Sequence, residues 1–230
     1  MDLSRRDEQL RELMDDPHCN PQRLHATLRR FALVNRMVSG WGTIYRLRIR
    51  DLLSELPRPA RVLDIGSGGG DVIAQLARLA ARDGFTVEWT GADPDRRAHD
   101  VASRAAVPHA TFRCADAETL LAEGQRYDLV ISNHLLHHLE ASELKDFAAT
   151  SQRLARIAVL HNDICRSRLA YALYSVGISP FAPGTFLRVD GLRSIRRSYR
   201  TAELSSALGP DWSVSSPVAF RLLAEGPGRA

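Results

Sequence analysis

Lysine is almost absent from this chain. Lys145 is the only one, so arginine supplies 30 of the 31 basic residues. Against 27 acids they leave a net charge of +4 and a pI of about 9.3. Such a balance points to nucleic acid when the cations cluster on one face. Here they are interleaved with acids, except in LRSIRRSYR (192–200), which has four arginines and no acid. The arginine skew reads as a compositional bias, and a nucleic-acid partner is not expected. Cysteine is also scarce. Cys19, Cys114 and Cys165 are scattered, odd in number and without a CxxC pair. That excludes a disulfide framework and a thiolate zinc site, and fits a reducing cytoplasm. Long apolar runs are missing: LAYALYSVGI (169–178) is too short to span a bilayer. The charged N-terminus, MDLSRRDEQLRELMDD, has no apolar core of a leader peptide.

What is present in the 230 residues falls into three zones, 1–56, 60–161 and 162–230, the last two forming one domain. Residues 1–56 read as a helical cap. Leu24, Leu28, Phe31, Asn35 and Val38 follow helical spacing, and Ile44, Leu47, Leu52, Leu53 and Leu56 continue an apolar face before Pro57 and Pro59 close the zone. From 57 to 230 the pattern is one α/β domain. ARVLDI (60–65), FTVEWTGAD (85–93), ATFRCAD (110–116), YDLVIS (127–132) and IAVLH (157–161) read as strands, and 71–82 and 142–156 as helices, the latter with Ser142 as N-cap. Alternating strands and helices predict a doubly wound, mostly parallel sheet. A helical insertion at about 162–200 follows the fifth strand. A helix at 201–208 and a tight hairpin of WSVSSPV (212–218) and AFRLLAE (219–225) end the chain.

The informative segment is VLDIGSGGGDV (62–72), a buried strand running through Gly66, Ser67, Gly68, Gly69 and Gly70 straight into a helix. Glycines let a ligand lie against the backbone, and free N–H groups at a helix start favour a negative group. The next strand ends at Asp93, 23 residues past Gly70 (93 − 70). A carboxylate there can accept from both hydroxyls of a ribose. The spacing is GxGxG, not the GxGxxG of dinucleotide sites, and Asp64 precedes the first glycine. A carboxylate behind a pyrophosphate repels it; beside an ammonium it attracts.

With Asp93 in GADPD, Asp116 in CADAETL and YDLVISNHLLHHL following in order, residues 60–161 resemble class I S-adenosylmethionine-dependent methyltransferases. The resemblance implies a seven-stranded sheet whose last strand is antiparallel, and S-adenosyl-L-methionine as cofactor. Carried over by position, it implies that Gly66, Ser67, Gly68 and Gly70 line the methionine part and that Asp64 orients the amino group. It puts Asp93, followed by Pro94, on the ribose, Asp116 and Ala117 on the adenine, and Asn133 near the sulfonium. Asp116 as a helix cap and Asn133 as a turn residue are the alternatives.

NHLLHHL (133–139) holds three of the chain's eight histidines. Read as a helix, it puts His134 and His138 on one face with His137 beside them. HExxH is absent and no nearby carboxylate completes a ligand set, so no metal is expected. The histidines then act as a general base or shape the cleft through backbone hydrogen bonds. The resemblance favours His138 as base. His137 is its neighbour, and His161, at the end of the fifth strand, is a second candidate.

Acceptor groups come from the additions to the core: Asn35, Arg36, Met37 and Trp41 in the N-terminal zone, and Tyr171, Tyr174, Phe181, Phe186, Arg188, Asp190, Arg193, Arg196 and Arg197 in the insertion. Aromatics suit a flat organic acceptor and arginines a carboxylate or phosphate on it. The proline-aromatic tetrapeptide of amino-methylating nucleic-acid enzymes is missing; its place reads SNHL. The leading expectation is methyl transfer to a hydroxyl oxygen of a small aromatic or polyketide-like compound. Carbon methylation of a quinone-type ring, an RNA methyltransferase, a nicotinamide oxidoreductase and a non-catalytic cofactor-binding partner are the competing readings. The apolar N-terminal helices can cap their own cleft or pair two copies into a homodimer.

Overall fold

The computed structural model describes residues 3–56 and 58–230; Pro57 lies outside the described residues. Residues 3–20, where the sequence predicts helix, form a strap of turns and bends. Tertiary partners override the local preference. The backbone N–H groups of Leu13 and Met14 donate to Asp190, at 2.8 and 3.0 Å, and not to a helical ladder. Asn20 then caps α1 (Pro21–Val38) by accepting from the Arg23 N–H at 2.9 Å. Gly40, left-handed at φ 75°, turns the chain into α2 (Trp41–Ile44). A π-helical turn, Tyr45–Ile49, leads on into α3 (Arg50–Glu55).

The α/β zone runs β1 (Ala60–Ile65), α4 (Asp71–Arg82), β2 (Val87–Ala92), α5 (Arg96–Ala102), β3 (Ala110–Arg113), α6 (Ala117–Ala122), β4 (Tyr127–Asn133), α7 (Ala141–Leu154) and β5 (Ala155–Ile164). Glu140, not Ser142, caps α7, in a capping box with Glu143. The insertion contributes α8 (Arg168–Gly177) and α9 (Leu187–Arg197). After α10 (Thr201–Leu208), β6 (Ser213–Ser215) and β7 (Arg221–Pro227) form a looser hairpin than predicted. Pro217 has no N–H for a ladder, and the link turns instead through left-handed Phe220, with the Ser216 hydroxyl donating to the Arg221 carbonyl at 2.6 Å.

The sheet order is β3-β2-β1-β4-β5-β7-β6, parallel up to β5, with β7 antiparallel to both its neighbours. Alternate residues of β1 enter opposite layers. Leu63 and Ile65 pack with Leu120, Leu144 and Leu204 beneath α6, α7 and α10. Val62 packs with Ile73 and Leu76 of α4 and with Trp41, Ile44 and Tyr45. The helices from Trp41 to Glu55 therefore share the sheet's core. α1 joins the insertion instead: Leu24 and Leu28 pack on Phe186, and Val34 on Ile178 and Leu187. Between α1, α8, α9 and the carboxyl ends of β1 and β4 lies a cavity of about 880 Å³, at the place where open parallel sheets bind ligands. No helix among the described residues is long and apolar enough to cross a membrane.

Candidate functional site

At one end of the cavity the glycine loop is tied down by its neighbours. The N–H groups of Gly66 and Ser67 donate to the Ala92 carbonyl, and that of Gly68 to Asp93 Oδ2 at 2.9 Å. Gly68 and Gly70 are both left-handed, for different reasons. A Cβ on Gly70 would strike the Phe112 ring at 2.6 Å; one on Gly68 would meet no atom within 4 Å. Gly70 makes the turn compact, and Gly68 keeps the cavity floor open.

Three carboxylates surround this loop. Asp64 is buried beneath it, and neither of its oxygens has a hydrogen-bond partner. Burial, then the charges of Asp71 and Asp93, push its pKa well above the usual carboxylate range. Asp71 accepts from the Asn35 amide at 3.0 Å, and burial raises it too. Asp93 accepts from the Gly68 and Asp95 N–H groups, and burial again raises it. Such a cluster of buried carboxyl groups suits a ligand bearing an ammonium, whose charge favours their ionised form, and Asp64 is an orphaned buried acceptor for one. It is unsuited to a pyrophosphate.

Of the residues expected at the cofactor, Gly66, Ser67, Gly68, Asp93, Pro94 and Asn133 line the cavity. Asn133 ends β4, and its Oδ1 accepts from Asn162 and Arg221, each at 3.1 Å. Asp64 and Gly70 sit behind the wall. Asp116 and Ala117 open α6 away from it, and Asp116 caps that helix by accepting from the Thr119 N–H at 2.8 Å.

The histidine segment is not the helix its spacing predicts. His134 is left-handed at φ 59°, and only Leu136–His138 make a 3₁₀ turn. His134 and His138 therefore do not share a helix face. The adjacent rings of His137 and His138 come together instead, with centroids 4.3 Å apart. His137 is buried between two acids, with Nδ1 at 2.6 Å from Asp163 Oδ1 and Nε2 at 3.3 Å from Glu12 Oε1. Burial opposes its charge, but Asp163 and Glu12 outweigh burial and lift its pKa to about 9. Burial is likewise outweighed at Glu12, which His138 and His137 hold down to about 2, and at Asp163, which His137 keeps far below the usual range. His138 is 28% exposed, lines the cavity, and stands 3.3 Å from Asp15 Oδ2 and 3.6 Å from Glu12 Oε1.

His161 corrects the sequence reading. β5 runs on to Ile164, so His161 lies within the strand and its ring enters the core. It is fully buried between Phe147 and Trp212, its Nδ1 is 2.8 Å from the Ser132 hydroxyl, and burial pushes its pKa down to about 3. It does not reach the cavity and is no acceptor-facing base.

Sequence reasoning missed Glu12, Asp15 and Asp163. The first two lie on a strap that pattern made helical, and Asp163 lies beyond the predicted end of β5. The missed acids also change the metal question, because Glu12, His137 and His138 bring ligand atoms within 4.8 Å of one another. Here Glu12 Oε1 accepts from the Ser194 hydroxyl and pairs with His137, whose other nitrogen is held by Asp163. The three groups satisfy each other as a charge network.

The arginines of 192–200 are structural ties. Arg193 donates to the Arg11 carbonyl, Arg196 pairs with Asp7, Arg197 donates to the His138 carbonyl and Arg200 to that of Leu3. They bind the strap and the histidine turn, leaving no free basic stripe there. Asn35, Met37, Tyr174, Phe181 and Asp190 line the cavity. Arg36, Trp41, Tyr171, Phe186 and Arg188 do not.

A family model described as a methyltransferase domain matches residues 62–157. Among curated relatives, the ubiquinone biosynthesis O-methyltransferase of Methylobacterium sp. (strain 4-46) is 34% identical over 135 residues, 56% of this chain and 51% of that protein. The protein of the same name from Rhizobium leguminosarum bv. trifolii (strain WSM2304) is 34% identical over 99 residues, 42% and 36% of the two chains. The chain thus spans about half or less of the length of these relatives. The plantazolicin methyltransferase BpumL in complex with SAH superposes with a TM-score of 0.64 at 14% identity, over 95% of this chain and 93% of that one. Magnesium protoporphyrin IX methyltransferase (ChlM) from Synechocystis PCC 6803 with bound SAM gives 0.53 at 18%, over 86% and 84%. At these identities the likeness is one of fold.

Proposed function

We propose that this chain, whose residues 62–157 match a methyltransferase-domain model, is a class I, S-adenosylmethionine-dependent methyltransferase that methylates a hydroxyl oxygen of a small aromatic acceptor. The observation that carries this reading is one cavity lined by two unlike sets of groups. The glycine loop with Asp93 supplies the first; His138, flanked by Glu12 and Asp15, lines it together with the apolar Phe31, Tyr174 and Phe181.

The cofactor supplies a methyl group already activated on a sulfonium. Asp64 and Asp71 would attract its ammonium, Asp93 would take its ribose hydroxyls, and Asn133 would stand near the sulfonium. The apolar wall excludes water and holds the acceptor in line. Positioning of this kind reaches effective molarities of ~10⁵–10⁸ M.

His138 takes the hydroxyl proton, and the carboxylates of Glu12 and Asp15 stabilise the imidazolium that forms. His137 is a positioning residue, since both its ring nitrogens are engaged. Incubation of the protein with S-adenosylmethionine and a panel of phenols tests the proposal. SAH and a methyl ether are expected, in yields that depend on the acceptor. Methyl transfer to carbon, or to RNA in preference to every phenol, would overturn it.

A further inference from the structure

Arg221 is buried, at 3% exposure, yet among the described residues its guanidinium forms no ion pair with a carboxylate. Nη2 donates to Asn133 Oδ1 at 3.1 Å and Nε to Asn162 Oδ1 at 3.3 Å, both neutral oxygens. The contrast within the same fold is Arg166, equally buried, which forms a two-pronged pair with Glu203. Burying a cation among neutral partners is unfavourable unless a counter-charge arrives. Asp163 acts on it only through its field: it forms no ion pair with the guanidinium and is hydrogen-bonded to His137. Burial pushes the Arg221 pKa down to about 10, which leaves the group charged at neutral pH.

The residue also lines the cavity, and so does His134. His134 is half-buried, its Nε2 is buried without a partner among the described residues, and burial together with the Arg221 charge lowers the pKa of the ring well below its ordinary value. Its left-handed backbone is strained for a non-glycine residue, a feature that persists where a site requires it. A cation with no directly paired carboxylate and an imidazole nitrogen without a partner, among the described residues, therefore share one wall.

We propose that Arg221, with His134 beside it, binds a carboxylate carried by the acceptor. The inference rests on the methyltransferase reading and narrows it: the acceptor is an aromatic acid, not a neutral phenol. The guanidinium fork matches the two oxygens of a carboxylate. Position separates this carboxylate from the cofactor's own. Arg221 opens β7, opposite Ile164 of β5, and the sheet order β1-β4-β5-β7 puts it three strands from the glycine loop, roughly 14 Å at ~4.8 Å per strand. The fork reaches back only as far as Asn133 on β4. An acid held there lies on the far side of Asn133 from the cofactor. The arginines of α9, which the sequence offers for this task, are engaged elsewhere: Arg193 and Arg196 by the strap, Arg197 by the His138 carbonyl and Arg188 by that of Ser175.

The test is a calorimetric titration of 3-hydroxybenzoate, and of its neutral amide, into wild type saturated with SAH. Wild type is expected to bind the acid at least about tenfold more tightly than the amide, the scale of a charged hydrogen-bond pair. Arg221→Gln is expected to lose that preference while its SAH affinity stays within about twofold. Arg221→Lys keeps part of it, and Arg193→Gln, altered in a strap contact, keeps all of it. Equal binding of acid and amide to wild type, no binding of either, or a preference that survives Arg221→Gln would overturn the proposal. So would a large loss of SAH affinity in Arg221→Gln, which would assign the arginine to the cofactor's carboxylate. If wild type binds no SAH but still prefers the acid, the methyltransferase reading fails and the anion site stands.

Discussion

Glu12 and His137 lie 125 residues apart in sequence and 3.3 Å apart in space. Their contact joins the N-terminal strap to the turn after β4, and Asp163 completes the line on the other side of the imidazole. One positive ring thus lies between two buried carboxylates, at the edge of the cavity that holds His138.

Removing that ring deprives Asp163 of its ion pair and leaves Glu12 with His138 alone. Breaking a buried pair by deleting one partner costs about 3–5 kcal/mol. His137→Ala is expected to lose that much in urea-induced unfolding. A loss below about 1 kcal/mol would mean that the network contributes little.

The same network has a pH signature. The His137 pKa is raised from 6.5 to about 9, so the fold gains stability wherever the imidazole is charged. That gain is complete below pH 6.5 and is lost as pH rises through about 9. Neutral, buried His161 has the opposite sign, and its effect falls on the acid side, below its ordinary value. The stability of wild type minus that of His137→Asn, followed by urea unfolding from pH 6 upward, isolates the first effect. The difference is expected to shrink toward pH 9; a flat difference would contradict a charged His137.

Much of this was legible in the sequence, and the limits have physical causes. The glycine loop, Asp93 and the order of strands are local patterns, and the sheet follows them, including the antiparallel β7. The strap was misread because its backbone donors are satisfied by Asp190, far away in sequence, and no local pattern records that. His161 was misplaced because the end of β5 is set by pairing with β7, whose register runs on to Ile164 and Arg221. Arg221 gave no sign in the sequence, as nothing local distinguishes a buried arginine from a solvated one.

The two loop glycines separate folding from binding. Gly70→Ala drives a Cβ into the Phe112 ring at a left-handed position and is expected to destabilise the protein. Gly68→Ala meets no protein atom; it keeps more of the stability and loses cofactor affinity. Paired melting curves and SAH titrations check this. Equal effects of the two changes on affinity and melting would refute the assignment of Gly68 to the cavity floor.

His138→Ala is expected to slow turnover by ~10²–10⁴-fold, the usual contribution of a general base, without abolishing it. A chelator such as EDTA is expected to leave wild-type turnover unchanged, because Glu12, His137 and Asp163 already satisfy one another. Loss of activity with EDTA, restored by a divalent cation, would make Glu12, His137 and His138 metal ligands instead.

The central claim is that the glycine loop and Asp93 hold S-adenosylmethionine. Calorimetric titration of S-adenosylmethionine into wild type and into Asp93→Ala tests it most directly. Micromolar binding to wild type is predicted, weakened about tenfold to hundredfold in the variant by the loss of charged hydrogen bonds, with the variant's circular dichroism unchanged. No binding to wild type, or equal binding to a folded Asp93→Ala, would contradict it.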